Sequence, residues 1–271
     1  MSSVTKISTG APQGCVISPI LFILYTNDCV SLSNECLMLK FADDTVLAGL
    51  MLDDETHKRN YIVKLVEWCK SNYLHLNSKK TKEIVIDFRT KSHTMLPVYI
   101  DNNEIDQVNT YKYLGTYIDS KLAWKENTQA IYKKGQQRLY FLRRLRQFNV
   151  DKQIMLLFDN TFIQSVLTSN FLSWYGNLSL QDKNKLNKLV KIAGKVCCVN
   201  LDSLDTLYNK RVIKKVKKIL KDDHHKLHND YKFLPSGKRL RSMATRTVRS
   251  NKSFVPTSIR LVNSNLNVLQ L

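Results

Sequence analysis

The run LMLKFADDTVLAGL, residues 37–50, leaves its backbone few options. Leu37, Leu39 and Phe41 alternate with Met38, Lys40 and Ala42, the period of a strand with one apolar face. Two adjacent aspartates follow, and then a second apolar run, TVLAGL. Strand, short turn and strand predict a β-hairpin with Asp43 and Asp44 at its tip. Aspartates at a turn are ordinary in themselves, because Asp solvates well and tolerates turn geometry. Side by side they repel, and a divalent cation that takes oxygen ligands from both removes that cost.

The rest of the chain divides by texture. Ser18 and Pro19 before ILFILY read as an N-cap and a proline at the first helical position, opening a helix buried on nearly all sides and ending between residues 28 and 33. Over residues 54–73, Tyr61, Leu65 and Trp68 recur at helical spacing beside Ile62, Val66 and Cys69. Strands are expected at 83–88 (EIVIDF), 97–100 and 111–118. Beyond Trp124 the pattern is helical, with helices over about 124–148, 151–170, 181–198 and 204–222. The fold class is therefore α+β, with a boundary near residue 120. No Asp or Glu follows Asp230, whereas residues 237–260 hold seven Lys and Arg, which predicts a basic, partly ordered tail.

Composition narrows the partners. With 42 Lys+Arg against 23 Asp+Glu the formal charge is +19, so the surface suits polyanions, nucleic acid first. Within residues 132–146, Lys133, Lys134, Arg138, Arg143, Arg144 and Arg146 interleave with Leu139, Leu142 and Leu145. One helix could then pack on its neighbours and offer cations to a phosphate backbone, a sequence-independent contact that weakens with salt. Residues 210–221 repeat the arrangement. Six cysteines without a CxxC spacing, and no signal-peptide pattern, favour a reducing intracellular compartment, nucleus or cytoplasm. The apolar run at 20–25 falls far below the roughly 20 residues that span a bilayer, so no membrane partner is expected. Cys197, Cys198, His224, His225 and His228 suggest zinc, but adjacent cysteines are awkward joint ligands and a second cysteine pair is lacking. Trp68, Trp124 and Trp174 read as packing residues.

The ordered motifs together resemble the reverse transcriptase of LINE-type (non-LTR) retrotransposons. GAPQGCVISPILF is similar to the palm motif of that family, and FADD to its catalytic hairpin. LNSKKTKEIVIDF is similar to the next motif, in which Asn77, Lys80 and Thr81 match, and YKYLGTYID to the primer-grip strand. QQRLYFLRRLRQFNV and the C-terminal stretch resemble the thumb and the end of such elements.

The resemblance implies a polymerase palm over residues 1–120, a helical thumb over 121–200 and a basic helical extension over 201–271. It implies RNA-templated DNA synthesis with two Mg²⁺ ions about 4 Å apart. Asp43 and Asp44 would be metal ligands, and Lys80 would approach the triphosphate as a general acid or a counter-charge. Gln13, Gly14, Ser18, Pro19, Phe41 and Ala42 would line the template and nucleotide pocket, and Leu114 and Gly115 would centre the primer grip. Partners would be an RNA template, a DNA primer and deoxynucleoside triphosphates. The family's third carboxylate lies on a palm strand before the Gln-Gly motif, and nine residues precede Gly10. The expectation is a polypeptide that does not polymerise by itself; the alternative is a non-catalytic nucleic-acid-binding remnant.

Overall fold

The computed structural model describes residues 14–30, 36–50, 56–89 and 96–265, so Gln13 lies outside the described residues. The chain is mixed helix and strand, its strands paired into three two-stranded antiparallel sheets. It divides into two compact units, one of residues 1–85 and 89–108, the other of 86–88 and 109–271.

In the first unit, helix α1 (Ser18–Tyr25) leads to strands β1 (Cys36–Phe41) and β2 (Asp44–Gly49), then to helix α2 (Thr56–Ser71). Strands β3 (Tyr99–Ile100) and β4 (Asn103–Glu104) close a short hairpin whose Asp101 and Asn102 both have positive φ, as a two-residue loop favours. Val98, Ile100 and Ile105 pack with Ile62, Val66 and Leu76, and Lys70 pairs with Asp101 at 2.6 Å.

Four expectations change here, the first being that α1 stops at Tyr25, ahead of the expected 28–33. The N-cap position of α1 is Ile17, with Ser18 inside the first turn, because the amide of Ser18 already bonds the Cys15 carbonyl in the preceding turn. No residue of α1 is buried: Ile20 is 55% and Leu24 66% exposed, since the described residues lay no second layer over the helix. Residues 83–88 form no strand. Only Glu83 finds a bridge partner, Gln107, while the Asp87 carbonyl accepts from Lys121 and the Phe88 ring lies under Arg249.

In the second unit, hairpin β5 (Thr110–Tyr113) and β6 (Thr116–Asp119) precedes helix α3 (Lys125–Gln147). Asp119 joins them: its carboxylate accepts from the amides of Lys121, Ala123 and Trp124 at 2.8–3.1 Å. Replacing Asp119 by Ala leaves three amides without that acceptor, and we expect a loss of about 2 kcal/mol in urea unfolding.

Helix α3 stops where Asn149 adopts positive φ and the Val150 amide reaches back to the Leu145 carbonyl. Asp151 caps α4 (Lys152–Phe158), which runs through a π-helical turn (Asp159–Gln164) into α5 (Ser165–Leu167). The single helix expected over 151–170 is thus helical but widened at its centre. After a short α6 (Phe171–Trp174), Ser179 caps α7 (Leu180–Cys197) and Ser203 caps α8 (Leu204–Leu220). The long helices lie within a residue or two of their expected bounds.

Ile131, Leu139 and Leu142 of α3, Leu186 and Leu189 of α7, and Val212 and Val216 of α8 share one core with Trp124 and Trp174. Gly135 lets α3 and α7 approach, because a Cβ there would stand 2.7 Å from the Leu189 side chain. The basic stretch expected to be partly ordered is folded onto this core. Helices α9 (Val248–Lys252) and α10 (Phe254–Ser264) bury Ile259 and Val262, Asn263 bonds both the amide and the carbonyl of Leu240, and the Tyr231 hydroxyl meets Ser258 at 2.7 Å. The density of charge there conceals an apolar face at helical spacing.

Candidate active site

Strands β1 and β2 pair from Cys36 with Gly49 to Phe41 with Asp44, which leaves Ala42 and Asp43 as a two-residue loop. Ala42 has φ of 52°, a conformation that L side chains avoid at a cost of about 1 kcal/mol or more. Asp43 stands in the turn and Asp44 opens β2; both are exposed.

The register sorts the hairpin into two faces. Cys36, Met38 and Lys40, with Leu47, look toward α2 and the segment after α1, where a small cavity is lined by Cys29, Tyr61, Leu65 and Trp68. Leu37, Leu39 and Phe41, the face the alternation marks as apolar, are exposed, Phe41 at 61%. Lys40 does unexpected work: its ammonium donates to the carbonyls of Cys29, at 2.8 Å, and Thr26, just beyond the end of α1. A cation there complements the negative C-terminal end of α1 and pins the hairpin to the segment that follows the helix. Alternation assigns Lys40 only to a face; its spacing from the end of α1 is invisible in sequence.

Lys80 sits on a different turn of the same unit. The Asn77 side chain accepts from the Lys80 amide at 3.1 Å, and the Asn77 carbonyl accepts from the amide and hydroxyl of Thr81. Asn77 and Thr81 therefore shape the backbone that presents an exposed Lys80. Gly14, with φ of 84°, and Pro19, in the first turn of α1, hold the backbone leading into that helix.

Carboxylate oxygens are the hard donors that Mg²⁺ takes. Among the described residues no three His, Cys, Asp or Glu gather as a metal-binding group. The cysteine and histidine cluster is spread over other tasks. Cys197 is in the core, His225 bonds Lys215 and the Leu227 amide, and His228 bonds the Ile219 carbonyl.

The thiols differ in environment. Cys15 is exposed and held below the usual thiol range chiefly by the Ile17 amide, whereas burial pushes Cys29, Cys36, Cys69 and Cys197 up. Iodoacetamide at neutral pH should label Cys15 first and the four buried thiols only after denaturation, read by peptide mass spectrometry.

In the second unit, Leu114 and Gly115 form the turn of a hairpin and do not lie within a strand. Tyr113 pairs with Thr116, and the two loop residues have φ of 44° and 83°. Both signs are positive, as the tight turn requires, and glycine takes the second without strain. The hairpin is fixed to its unit by Asn127, which accepts from the Tyr117 amide, and by Asn170, which donates to Thr116.

On α3, Lys133, Lys134, Arg143, Arg144 and Arg146 are exposed and Arg138 is half-buried; at 3.6 residues per turn they spread around the helix, with Lys133 and Arg144 opposite the face that packs on α7. Other cations are spent on structure. Arg211 donates to the Thr168 carbonyl, Lys210 pairs with Asp202, Arg249 donates to the Lys121 carbonyl and Arg260 holds Asn251. No helix among the described residues is long and apolar enough to cross a membrane.

Comparison with known proteins gives two family matches and several curated relatives. Residues 2–118 match the family model described as reverse transcriptase (RNA-dependent DNA polymerase). Residues 124–165 match one described as alkylated DNA repair protein alkB homolog 8, N-terminal. Among curated relatives, the chain is 30% identical over 138 residues to the probable RNA-directed DNA polymerase from transposon X-element of Drosophila melanogaster, covering 48% of this chain and 15% of that protein. It is 27% identical over 144 residues to the corresponding protein of transposon BS, covering 49% and 16%, and 25% identical over 136 residues to that of mobile element jockey, covering 46% and 15%, both from the same fly. The matches thus span about 15% of the length of these relatives. No solved structure matches the chain.

Proposed function

The chain carries a segment of a reverse transcriptase of the non-LTR retrotransposon kind, and from that premise we propose that its first unit is the part of a polymerase palm that presents the catalytic carboxylates. One observation supports this above the others. The hairpin at residues 36–49 projects Asp43 and Asp44, exposed and adjacent, from a strained two-residue turn, while Lys40, one rung below that turn, ties the hairpin to the segment after α1. Strain at an exposed polar turn is tolerated where the surroundings over-determine it, and here it aims two carboxylates outward.

In this reading the whole enzyme copies RNA into DNA. A divalent cation bound there would supply Lewis-acid stabilisation of the transferring phosphoryl group. Asp43 and Asp44 contribute two carboxylates to a set that further protein ligands complete. Lys80 offers a positive charge to a triphosphate, and Gly14, Ser18 and Pro19 shape the loop beside the pocket. The second unit acts as a thumb. The Leu114–Gly115 turn supports the primer, and Lys133, Lys134, Arg138, Arg143, Arg144 and Arg146 contact phosphates of the template and primer strands.

The test is primer extension on an RNA template with Mg²⁺. The 271-residue polypeptide alone is expected to add no nucleotides. The same sequence, grafted into the X-element polymerase in place of its matching segment, is expected to extend the primer. A graft that expresses and folds yet stays inactive would remove the catalytic assignment.

A further inference from the structure

Helix α3 has a second apolar side that the core covers only in part: Leu145 packs against it, while Phe141 and Phe148 are left exposed. Its core side is Ile131, Gly135, Leu139 and Leu142, which pack on the other helices. Arg138, Phe141, Leu145 and Phe148 recur at the same spacing on another side, so they form a stripe of their own. Phe141 is 55% and Phe148 69% exposed. Opposite them stand Phe158 and Phe162, four apart across the start of the π-helical turn, with ring centroids 4.8 Å apart and planes within 26°. Phe162 is 50% exposed. The π-helical turn sets the second wall at this spacing, and such turns recur at functional sites.

Between the walls is an open cleft of about 420 Å³ lined by two arginines, Leu145 and four phenylalanines, with no acidic side chain among them. Arg138 ties one wall to the other through the Phe162 carbonyl. Arg144 lies over the Phe148 ring at 5.1 Å and donates to Gln147 at 2.8 Å. Flat rings, guanidinium planes and no negative charge describe a ligand with π faces and anionic links. A cleft of this volume admits one or two bases. A docking helix would instead need a longer groove, with anchors spaced over two turns.

We propose that this cleft binds single-stranded nucleic acid, with unstacked bases against Phe141, Phe148 and Phe162 and the flanking phosphates on Arg138 and Arg144. The inference rests on the nucleic-acid reading of the second unit and specifies the state of the strand. Bases in a duplex are already stacked on one another and cannot enter; an unpaired template or a free 3′ tail can.

Fluorescence anisotropy on the full chain tests this, with a labelled single-stranded oligouridylate and an RNA–DNA duplex of equal length as the two probes. Phe148→Ala and Phe162→Ala are each expected to weaken single-strand binding roughly 5- to 50-fold and to leave duplex binding within about twofold, while Phe148→Tyr keeps the single-strand affinity. Circular dichroism checks that the variants fold; both rings are exposed, so their loss removes little core. Equal losses on both probes, no loss on either, or full affinity in Phe148→Leu would overturn the proposal, the last by pointing to a protein ligand. If Lys133→Ala with Lys134→Ala weakens both probes while the phenylalanine variants do not, the basic face binds nucleic acid and the cleft does not. If neither probe binds, the nucleic-acid reading of this unit falls together with the cleft, while primer extension by the graft still decides the palm.

Discussion

Asp43→Ala in the grafted polymerase lowers the primer-extension rate by about 10³-fold or more, and Asp44→Ala does the same. The magnitude follows from the several kcal/mol that charge stabilisation at a transferring phosphoryl group supplies, each ~1.4 kcal/mol being a tenfold change in rate. The structure makes the result interpretable. Both aspartates are exposed at a hairpin tip, and the register below them depends on backbone pairing and on Lys40. Their removal should leave the thermal midpoint of the graft essentially unchanged, since surface substitutions away from caps and buried networks change stability by about 0.5 kcal/mol at most. A polymerase whose rate survives Asp43→Ala would show that the carboxylates serve only the turn.

Asp159→Asn stabilises the chain by about 3 kcal/mol at pH 7.5. Asp159 lies in the π-helical turn, 2% exposed, and burial raises its carboxyl from an ordinary 3.8 to about 6. The sign follows from proton binding. Below about pH 4 the folded and the unfolded chain both carry the proton, and the residue costs nothing extra. Between the two values the unfolded chain ionises while the folded chain stays protonated. Above about pH 6 the folded chain must hold a buried carboxylate, so stability is lost as pH rises through this window. The amide has nearly the same shape and no charge, and its advantage should vanish below about pH 4. Urea midpoints of both chains at pH 4, 5, 6 and 7.5 decide it: a gain independent of pH would mean that packing, not ionisation, separates them. Asp159 sits between Phe158 and the rest of the turn that carries Phe162, so the measurement also reports on the wall of the aromatic cleft.

Much of the architecture was legible because it is local. A helix advertises itself by the recurrence of apolar side chains, and the caps Asp151, Ser179 and Ser203 fix in the structure the ends that this recurrence places only approximately. The hairpin at 36–49 was equally plain, since strand period and turn residues agree. The expectations that failed concern partners distant in sequence. EIVIDF has the composition of a strand, yet a strand needs a neighbour, and only Glu83 finds one. Leu114 and Gly115 fall at a turn because the residues on either side pair with each other. Ser18 loses the cap position to Ile17 through the geometry of one preceding turn.

The sequence by itself determined the positions of the helices, the adjacency of Asp43 and Asp44 and the excess of positive charge, because each is a property of neighbours along the chain. Only the tertiary structure decided which cations are spent on carbonyls, as Lys40 and Arg211 are, and which apolar stripe of α3 is core and which lines a cleft. Hydrogen bonding and burial depend on what stands opposite a side chain in space, and periodicity records only the side on which it stands.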